Sequence, residues 1–342
     1  MDMQGAIRTV TERQDLTAGE MEQVMRTIMT GEATPAQIGG FLIGLRMKGE
    51  TVDEITAAAK VMRDLAAKIN ADGEFPVDTC GTGGDASGTF NISTASAIVA
   101  AAAGCTVAKH GNRSVSSKSG SADLLEKAGL NLSLKPEQVE ECINQCGIGF
   151  LFAPNHHGAM KHAIGPRKEM GARTIFNILG PLTNPAGAPN QVLGVFCRSW
   201  VLPLAQVLNQ LGSRHVLIVN AEDGLDEISI SSPTSVAELK DGQITEYSIT
   251  PEQFNLNRAP IDDIKAVDSD ASLNIINSVF NGDKQGKFEA ATNIITLNAG
   301  AAIYVSGKAE SLKQGIELAA EVIANGKAKD KLTLLIQLTQ KI

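Results

Sequence analysis

The sequence predicts an α/β protein with a small N-terminal helical domain, residues 1–72, and a larger α/β domain, residues 73–342, whose mainly parallel sheet is flanked by helices. The first seventy residues show only helical periodicity, and from residue 75 onward short β-branched runs alternate with helical stretches. That alternation favours a parallel sheet covered on both faces. A chain of 342 residues with 43% hydrophobic content also exceeds one typical core. We expect a segment near residues 160–190 to pack against the helical domain.

Three helix starts are evident in the N-terminal domain. Thr17 and Thr51 are each followed three positions later by a glutamate, which is a capping-box pattern, and Pro35 after Thr34 suits a first helical position. Apolar residues recur at helical spacing after each start: Met21, Val24, Met25 and Ile28; Ile38, Phe41, Leu42 and Leu45; Ile55, Ala58, Val61 and Met62. The domain contains little that indicates chemistry, so we expect it to serve packing and subunit contact.

The larger domain has a predicted order of strands and helices. Strands are predicted over residues 75–80, 106–108, 148–152, 192–196 and 216–219, and helices over 93–103, 122–128, 136–146, 202–211 and 312–324. Residues 240–244, Lys-Asp-Gly-Gln-Ile, are typical of a hairpin turn, so an antiparallel portion is expected over 237–249. Residues 262–286 are polar and weakly periodic, and no element is assigned there.

A glycine-rich turn follows the first predicted strand. Residues 81–85 read Gly-Thr-Gly-Gly-Asp, and a polar cluster, Asn-Ile-Ser-Thr at 91–94, opens the next helix. Glycines between a strand and a helix bring backbone N–H groups close to a ligand, and the helix start adds unpaired N–H groups with partial positive charge. The spacing matches neither the dinucleotide fingerprint nor a Walker A loop. The pattern indicates a phosphate site; a plain tight turn is the alternative.

A second polar loop follows the next predicted strand. Residues 109–121 contain three cations and five serines and hardly any apolar residue that could pack. Such a loop is rich in hydrogen-bond donors, although many charged loops are only solvated surface. Because both loops follow strands of one predicted sheet, they indicate a ligand with more than one phosphate.

Acidic residues cluster after the strand predicted at 216–219. Residues 222–227, Glu-Asp-Gly-Leu-Asp-Glu, place four carboxylates in six positions, where loops of such sheets carry ligands. Mg²⁺ binds through one or two carboxylates together with substrate phosphates and water. A magnesium site is therefore predicted, and an acidic surface turn is the alternative.

Residues 152–168 contain three histidines but do not predict a zinc site. Their neighbours are apolar or basic, whereas zinc needs two histidines on one helical face and a third ligand. Arg167 and Arg173 instead suit bidentate recognition of a substrate carboxylate. A salt bridge between domains is the alternative for either arginine.

Composition disfavours several other classes of protein. The net charge of -8 argues against a general nucleic-acid binder, which needs a basic face. The amino terminus has no apolar signal core, and no apolar run reaches the length of a membrane span. The five cysteines are odd in number and scattered: Cys80, Cys105, Cys142, Cys146 and Cys197. They are typical of reduced thiols. We therefore expect a soluble cytoplasmic protein with no nucleic-acid or membrane partner.

These motifs, together with residues 177–185, Asn-Ile-Leu-Gly-Pro-Leu-Thr-Asn-Pro, resemble the anthranilate phosphoribosyltransferase family of tryptophan biosynthesis. The resemblance covers nearly the whole chain in order. Its most specific parts are the Lys-His-Gly-Asn-Arg loop at 109–113 and the segment 177–185. It implies a homodimer in which a small helical domain packs against an α/β domain, with the active site in the cleft between them.

The resemblance also implies a role for individual residues. The phosphoribosyl pyrophosphate would be held by Gly81, Gly84, Asp85, Thr89, Asn91, Ile92, Ser93 and Thr94, with a second loop closing over it: Lys109, His110, Gly111, Asn112, Arg113, Ser114, Val115, Ser116, Ser117 and Ser121. Ser93, Asp226 and Glu227 would hold two Mg²⁺ ions per subunit. Asn112 and Arg167 would contact anthranilate, with Gly81 and His110 beside it.

The implied reaction transfers the phosphoribosyl group of 5-phosphoribosyl 1-pyrophosphate to the amine of anthranilate, with no side chain acting as nucleophile or base. One alternative is a pyrimidine nucleoside phosphorylase-like enzyme on the same architecture, which binds free phosphate and needs no acidic metal pair. A non-catalytic nucleotide-sensing module is another. A transferase for a different aromatic acid is a third, because aromatic selectivity depends on pocket shape.

Overall fold

The computed structural model describes residues 1–71, 73, 75–114, 119–283 and 285–342. The N-terminal helices are α1 (Met3–Thr11), α2 (Ala18–Met29), α3 (Pro35–Lys48) and α4 (Val52–Leu65). Each begins after a side chain that accepts a hydrogen bond from the first turn: Asp2, Thr17, Thr34 and Thr51. The last three are complete capping boxes, which hold helix starts in place.

The four N-terminal helices share one buried cluster with a later part of the chain. Ala163, Ile175 and Leu179 lie in the same hydrophobic cluster as the apolar faces of α1 to α4. Helix α9 (Lys161–Met170) packs against α3. Part of the segment 160–190 therefore shares this cluster with the N-terminal helices. The division of the chain at residue 72 stays a prediction, since residue 72 lies outside the described residues.

The central sheet has the strand order β3-β2-β1-β4-β5-β6-β7. Its strands are β1 (Val77–Gly81), β2 (Val107–Gly111), β3 (Ile148–Phe152), β4 (Asn190–Gly194), β5 (His215–Ala221), β6 (Thr234–Lys240) and β7 (Gln243–Ile249). The first five are parallel, and β6 and β7 form the predicted antiparallel hairpin. Asp241 and Gly242 make its turn with φ of 47° and 82°, which Asp-Gly pairs adopt readily. The predicted fold class is confirmed.

The remaining helices are α5 (Ile92–Ala102), α6 (Ser121–Lys127), α7 (Pro136–Cys146), α8 (Ala153–His156), α10 (Phe176–Leu179), α11 (Val201–Gln210), α12 (Ser269–Phe280), α13 (Lys287–Val305), α14 (Leu312–Ala324) and α15 (Lys327–Thr339). Both faces of the sheet are buried. On β5, Leu217 and Val219 belong to the cluster containing α5 and α13, whereas Val216 and Ile218 belong to the cluster containing α11 and the N-terminal helices. This is the two-sided burial typical of parallel strands.

The sequence did not predict α9, α12, α13 or α15. Helix α13 is buried over most of its length between α5, α14 and the sheet, so it lacks the polar face that reveals a surface helix. Helix α12 lies inside the unassigned segment 262–286, where Asp268 accepts a hydrogen bond from the Ala271 N–H at 2.8 Å. In the described part of the chain, no helix has the length and apolarity to cross a bilayer.

Candidate active site

The site lies at the carboxyl edge of the parallel strands, where β1 lies between β2 on one side and β4 on the other. The register pairs Gly81 with Gly194 and Gly111 with Phe152, so these strand ends lie along one edge. Ligands of open α/β sheets bind at such a switch point. After Gly81, Gly83 and Gly84 have φ of 67° and 80°, a conformation that favours glycine.

The acidic turn after β5 contacts the glycine turn directly. The Gly83 N–H donates to Oδ2 of Asp226 at 2.8 Å. A Cβ on Gly81 would lie 2.4 Å from the same oxygen, and a Cβ on Gly194 would lie 1.5 Å from the Asp226 carbonyl oxygen. Gly83 and Asp226 are 143 positions apart in the chain, so two motifs distant in sequence form one local structure. Glycine at 81 and 194 is required for that close approach.

The carboxylates at this turn repel one another. Burial, and next the charge of Asp85, raise the pKa of Asp226 to about 7. Burial, and next the charge of Asp226, raise the pKa of Glu227 well above its usual range. Adjacent buried carboxylates disfavour each other's ionised form, and a bound cation removes that penalty. The site is thus electrostatically prepared for a cation.

The donor set fits Mg²⁺ bound together with a phosphate ligand. No group of three or more His, Cys, Asp or Glu side chains poised to hold a metal occurs within the described ranges. The described residues therefore do not supply a complete set of protein ligands for a metal ion. Mg²⁺ does not require one, because it uses one or two carboxylates and takes its other ligands from substrate phosphates and water. Asp226, Glu227 and the Ser93 hydroxyl supply hard oxygens of the required kind.

The raised pKa of Asp226 predicts a pH-dependent stability. A carboxyl whose folded pKa lies above its unfolded value contributes stability at low pH, and this contribution is lost as pH rises from about 4 to about 7. In metal-free buffer, Asp226→Asn should therefore melt at about the wild-type temperature at pH 4 and a few degrees higher at pH 8. Differential scanning calorimetry checks this, with the exposed Glu222→Gln as control. An equal offset at both pH values would contradict it.

Lys109 lies between β1 and the start of α5. It is 3% exposed, and its Nζ donates to the Thr79 carbonyl oxygen at 2.6 Å and lies 3.4 Å from Oγ of Ser93. Burial lowers its pKa, and the neighbouring carboxyl of Asp78 opposes that shift. Lys109 thus links the end of β1 to the start of α5. Its positive charge also acts on the carboxyl groups of Asp78 and Glu227.

The motif at 177–185 anchors the site through a buried carboxyl that the sequence did not single out. Asp78 is fully buried and accepts hydrogen bonds from Nδ2 of Asn184 at 2.8 Å and from the His110 N–H at 3.1 Å. Asn184 also donates to the Ala108 carbonyl oxygen at 2.8 Å. A polar residue inside the apolar stretch 75–80 was the available signal. These bonds fix β1 and β2 to the segment that leads into β4.

Removing the Asn184 amide should destabilise the protein. Asn184→Ala leaves the buried Asp78 carboxyl without its amide donor, and we expect a loss of about 1 to 3 kcal/mol in the free energy of unfolding. Urea denaturation measures it. The exposed Asn209→Ala on α11 is the control and should change stability by less than about 0.5 kcal/mol. Equal effects of the two substitutions would contradict the role given to Asn184.

The second predicted loop is described only in part. Val115, Ser116 and Ser117 lie outside the described residues. Just before them, the Arg113 guanidinium forms salt bridges with the carboxylates of Glu126 at 2.7 Å and Asp123 at 3.1 Å. These salt bridges hold the start of the loop against α6. The Ser114 N–H likewise donates to Asp123 at 3.0 Å. A further contact closes the loop, because Ser121 Oγ donates to the Asn112 carbonyl oxygen at 3.4 Å.

Two buried histidines meet at the end of β2. The rings of His110 and His157 are 5.1 Å apart between centroids, and the Nε2 atom of each has no hydrogen-bond partner in the part of the chain the structure describes. Burial lowers the pKa of His110 well below its usual range and that of His157 to about 4. Both imidazoles are neutral at pH 7. The sequence analysis gave His157 no role, since its ring reaches His110 only through the fold.

The two candidate carboxylate-binding arginines have different surroundings. Arg167 on α9 lies 5.1 Å above the Phe176 ring, is half-buried, and makes no salt bridge within the described ranges. Burial lowers the pKa of its guanidinium. Arg173 instead donates to the Gly84 carbonyl oxygen and lies 4.3 Å from the Phe196 ring centroid. Arg167 therefore keeps its hydrogen-bonding capacity for a ligand, while Arg173 supports the glycine turn.

The chain is similar to known proteins over nearly its whole length. Residues 4–66 match the helical bundle domain of the glycosyl transferase family, and residues 74–329 match its a/b domain. A protein of Thioalkalivibrio sulfidiphilus named anthranilate phosphoribosyltransferase is 64% identical, with 99% of each chain covered. The crystal structure of anthranilate phosphoribosyltransferase from Thermus thermophilus has a TM-score of 0.92 at 41% identity, covering 98% of this chain and 99% of that one.

A more distant enzyme shares the fold. The anthranilate phosphoribosyltransferase of Saccharomyces cerevisiae, solved in complex with PRPP and Mg, has a TM-score of 0.90 at 24% identity. The match covers 99% of this chain and 98% of the yeast chain. From the profile matches and the close bacterial relative, the chain belongs to the glycosyl transferase family, among the anthranilate phosphoribosyltransferases.

Proposed function

We propose that this protein transfers the phosphoribosyl group of 5-phosphoribosyl 1-pyrophosphate to the amine of anthranilate, releasing pyrophosphate. The observation that carries the proposal is the hydrogen bond from the Gly83 N–H of the glycine turn to Asp226. Lys109, whose Nζ lies 3.4 Å from Oγ of Ser93, adds a positive charge at the start of α5. A phosphate-binding turn, a helix N-terminus and clustered carboxylates meet at one sheet edge. A free-phosphate enzyme would not need the acidic pair, so the arrangement favours a pyrophosphate donor.

The chain's own groups account for stabilisation of the leaving group. The carbon–oxygen bond to pyrophosphate breaks through an oxocarbenium-like state, as in glycosyl chemistry generally, and negative charge grows on the departing oxygens. Backbone N–H groups of the glycine turn and of the first turn of α5 face that charge, and the Lys109 ammonium adds to the local positive potential. Such preorganised groups usually supply the largest part of a rate enhancement.

We infer that two Mg²⁺ ions accompany the donor, held by Ser93, Asp226 and Glu227. When bound, Mg²⁺ neutralises charge that develops on the phosphate oxygens and orients the leaving group. The protein's part is to keep both carboxylates adjacent and the Ser93 hydroxyl at the helix start. The raised pKa of Asp226 and Glu227 supports this assignment, because their ionised forms need a compensating cation.

Anthranilate requires positioning more than activation. Its aromatic amine is neutral at pH 7, so no strong base has to remove a proton before attack. We propose that Arg167 binds the carboxylate and that Asn112 and His110 contact the ring or its substituents. The neutral imidazole of His110 suits an aromatic neighbour, because it carries no charge that would need hydration. Holding the amine in line with the anomeric carbon is the second large contribution to rate.

Changing Arg167 tests the anthranilate half of the site. Arg167→Gln removes the bidentate partner of a carboxylate, so we expect the anthranilate KM to rise by about 10- to 100-fold while the KM for the donor stays within about twofold. Steady-state kinetics with each substrate varied separately measures both. Lys168→Gln, the next position on α9, is the control. An unchanged anthranilate KM would contradict the assignment.

Loss of anthranilate fluorescence tests the reaction itself. Purified protein with the donor and Mg²⁺ should consume anthranilate, and chelation of Mg²⁺ should stop it. Phosphorolysis of thymidine or uridine without anthranilate turnover would instead support the phosphorylase alternative. Absence of both activities, with the donor still bound, would support a sensing module.

We further propose a cytoplasmic homodimer. Exposed apolar side chains lie on two helices that contact each other: Met47 is 70% exposed and Ile43 37% exposed on α3, and Ile164 is 43% exposed on α9. A second copy of the chain would cover them. All five cysteines are free thiols, which supports a reducing compartment. Sedimentation should give a dimer mass, and Met47→Lys should shift it toward the monomer.

A further inference from the structure

A hydrogen-bonded network joins α12 to the phosphate site. Its members are the side chains of Asn91, Ser119, Ser269 and Ser272. Oδ1 of Asn91 accepts from Oγ of Ser272 at 2.8 Å and from Oγ of Ser119 at 2.9 Å. Oγ of Ser119 in turn accepts from Oγ of Ser269 at 2.9 Å. The network thus links three segments far apart in sequence: the start of α5, the end of the loop after β2, and the first turn of α12.

The network leaves Asn91 little freedom to bind a ligand. A carboxamide oxygen has two lone pairs, and both are used by serine hydroxyls. One Nδ2 hydrogen is directed to the Ser119 carbonyl oxygen at 3.2 Å, and the backbone N–H of Asn91 donates to Oγ of Ser272 at 3.0 Å. Among the residues that the structure describes, the other side-chain N–H of Asn91 has no hydrogen-bond partner. The amide is held in a single orientation, with its oxygen turned toward α12.

The segment before α12 also supports, through its backbone, residues 88–90, which lie between the glycine turn and α5. The Phe90 N–H donates to the Ile264 carbonyl oxygen at 3.0 Å, and the Ala266 N–H donates to the Gly88 carbonyl oxygen at 2.9 Å. Thr89 and Lys265 form an antiparallel bridge between these bonds. Residues 264–272 therefore lie along residues 88–91 and end in the buried Ser269 and Ser272. This is the part of the chain to which the sequence assigned no element.

We propose that Ser272 and Ser269 are positioning residues for the phosphoribosyl donor. Ser272 fixes the Asn91 amide and the backbone at the start of α5, and Ser269 acts through Ser119 on the end of the second loop. Neither serine needs to touch the donor. The side chains of the network hydrogen-bond to one another, so removing one member disturbs the others. This inference rests on the proposed function for its kinetic test.

The kinetic test compares three alanine variants on α12. Ser272→Ala should raise the KM for the donor about tenfold and Ser269→Ala by a smaller factor, because a buried N–H or hydroxyl loses its partner. The anthranilate KM should stay within about twofold, since the two serines hydrogen-bond to Asn91 and Ser119, whereas Arg167, the proposed partner of the anthranilate carboxylate, lies on α9. Ser278→Ala, on the same helix outside the network, should change neither. Equal effects on both substrates, or none, would overturn the proposal.

A double-mutant cycle separates positioning from general destabilisation. In an Asn91→Ala background, Ser272→Ala should add less than about twofold to the donor KM, because the group that it positions is already gone. Multiplying effects in the double variant would show that Ser272 acts independently of Asn91 and would overturn the proposal.

A measurement without substrate keeps this inference distinct from the proposed function. Hydrogen exchange on the free protein should become faster at residues 89–95 and 119–125 in Ser272→Ala and Ser269→Ala but not in Ser278→Ala. If the wild type bound no phosphoribosyl donor, the proposed function would fail while this exchange pattern persisted. Unchanged exchange in both network variants would overturn the positioning role, whatever the wild type catalyses.

Discussion

Replacing Asp226 and Glu227 together by Asn and Gln is expected to lower kcat by about a thousandfold, with a smaller change in the anthranilate KM. The pair supplies the carboxylate ligands at the turn, and loss of a group that stabilises developing charge commonly costs about 10² to 10³ in kcat. Asp226 also accepts the Gly83 N–H, but the Asn side-chain oxygen keeps that bond available. The fold should therefore survive, and its melting temperature in metal-free buffer should not fall.

The measurement is steady-state kinetics over a range of Mg²⁺ concentrations. The residual rate of the double variant should be nearly independent of Mg²⁺, whereas the Glu222→Gln control should respond as the wild type does. Glu222 lies in the same acidic run but is exposed and outside the contact with the glycine turn. Full activity of the double variant, or a variant that still needs the same Mg²⁺ concentration, would refute the metal assignment.

Replacing Lys109 by Met is expected to reduce both stability and activity. The Nζ hydrogen bond to the Thr79 carbonyl oxygen disappears, and the buried carboxyl of Asp78 loses its nearby positive charge. Because the buried Thr79 carbonyl oxygen loses its donor, we expect a loss of about 1 to 3 kcal/mol in the free energy of unfolding. Activity should fall further than stability explains, because the positive potential at the phosphate site also decreases.

Urea denaturation and donor kinetics on the same preparation separate these two effects. Lys127→Met on α6 is the matched control, since Lys127 pairs with Asp270 at the surface and surface pairs contribute about 1 kcal/mol or less. It should change neither measurement appreciably. A Lys109→Met protein as stable as the control would show that the Lys109 charge is not needed inside the fold.

The glycine turn and the acidic turn can each be located in the sequence, but their contact with each other cannot be predicted from it. Glycines after a strand and four carboxylates in six positions are local patterns, and each has a physical meaning where it stands. That the Gly83 N–H reaches Asp226 at 2.8 Å depends on β1, β4 and β5 lying side by side in register. Strand order is a long-range property, so no window of sequence contains it.

Other features were missed because their signal is absent from the local pattern. Helix α13 is apolar around most of its circumference, and periodicity therefore does not reveal it. Ser269 and Ser272 look like ordinary polar residues of a weakly periodic segment, and only packing brings them to Asn91. The guanidinium groups of Arg113 and Arg173 are directed to Glu126 and to the Gly84 carbonyl oxygen, contacts that no local pattern indicates, and the ligand-binding roles expected of both stay predictions.

Residue types and their spacing were sufficient to establish the α/β class and to locate the helix caps, the glycine turn and the acidic turn, because these depend on backbone freedom, capping and charge over a few positions. Tertiary structure alone decided that the glycine turn contacts Asp226, that Arg173 donates to the Gly84 carbonyl oxygen, and which serines hydrogen-bond to Asn91 and Ser119. Those outcomes depend on burial and on distances between segments more than a hundred residues apart, such as Asp78 and Asn184. Pairing and desolvation are set only when the chain has folded.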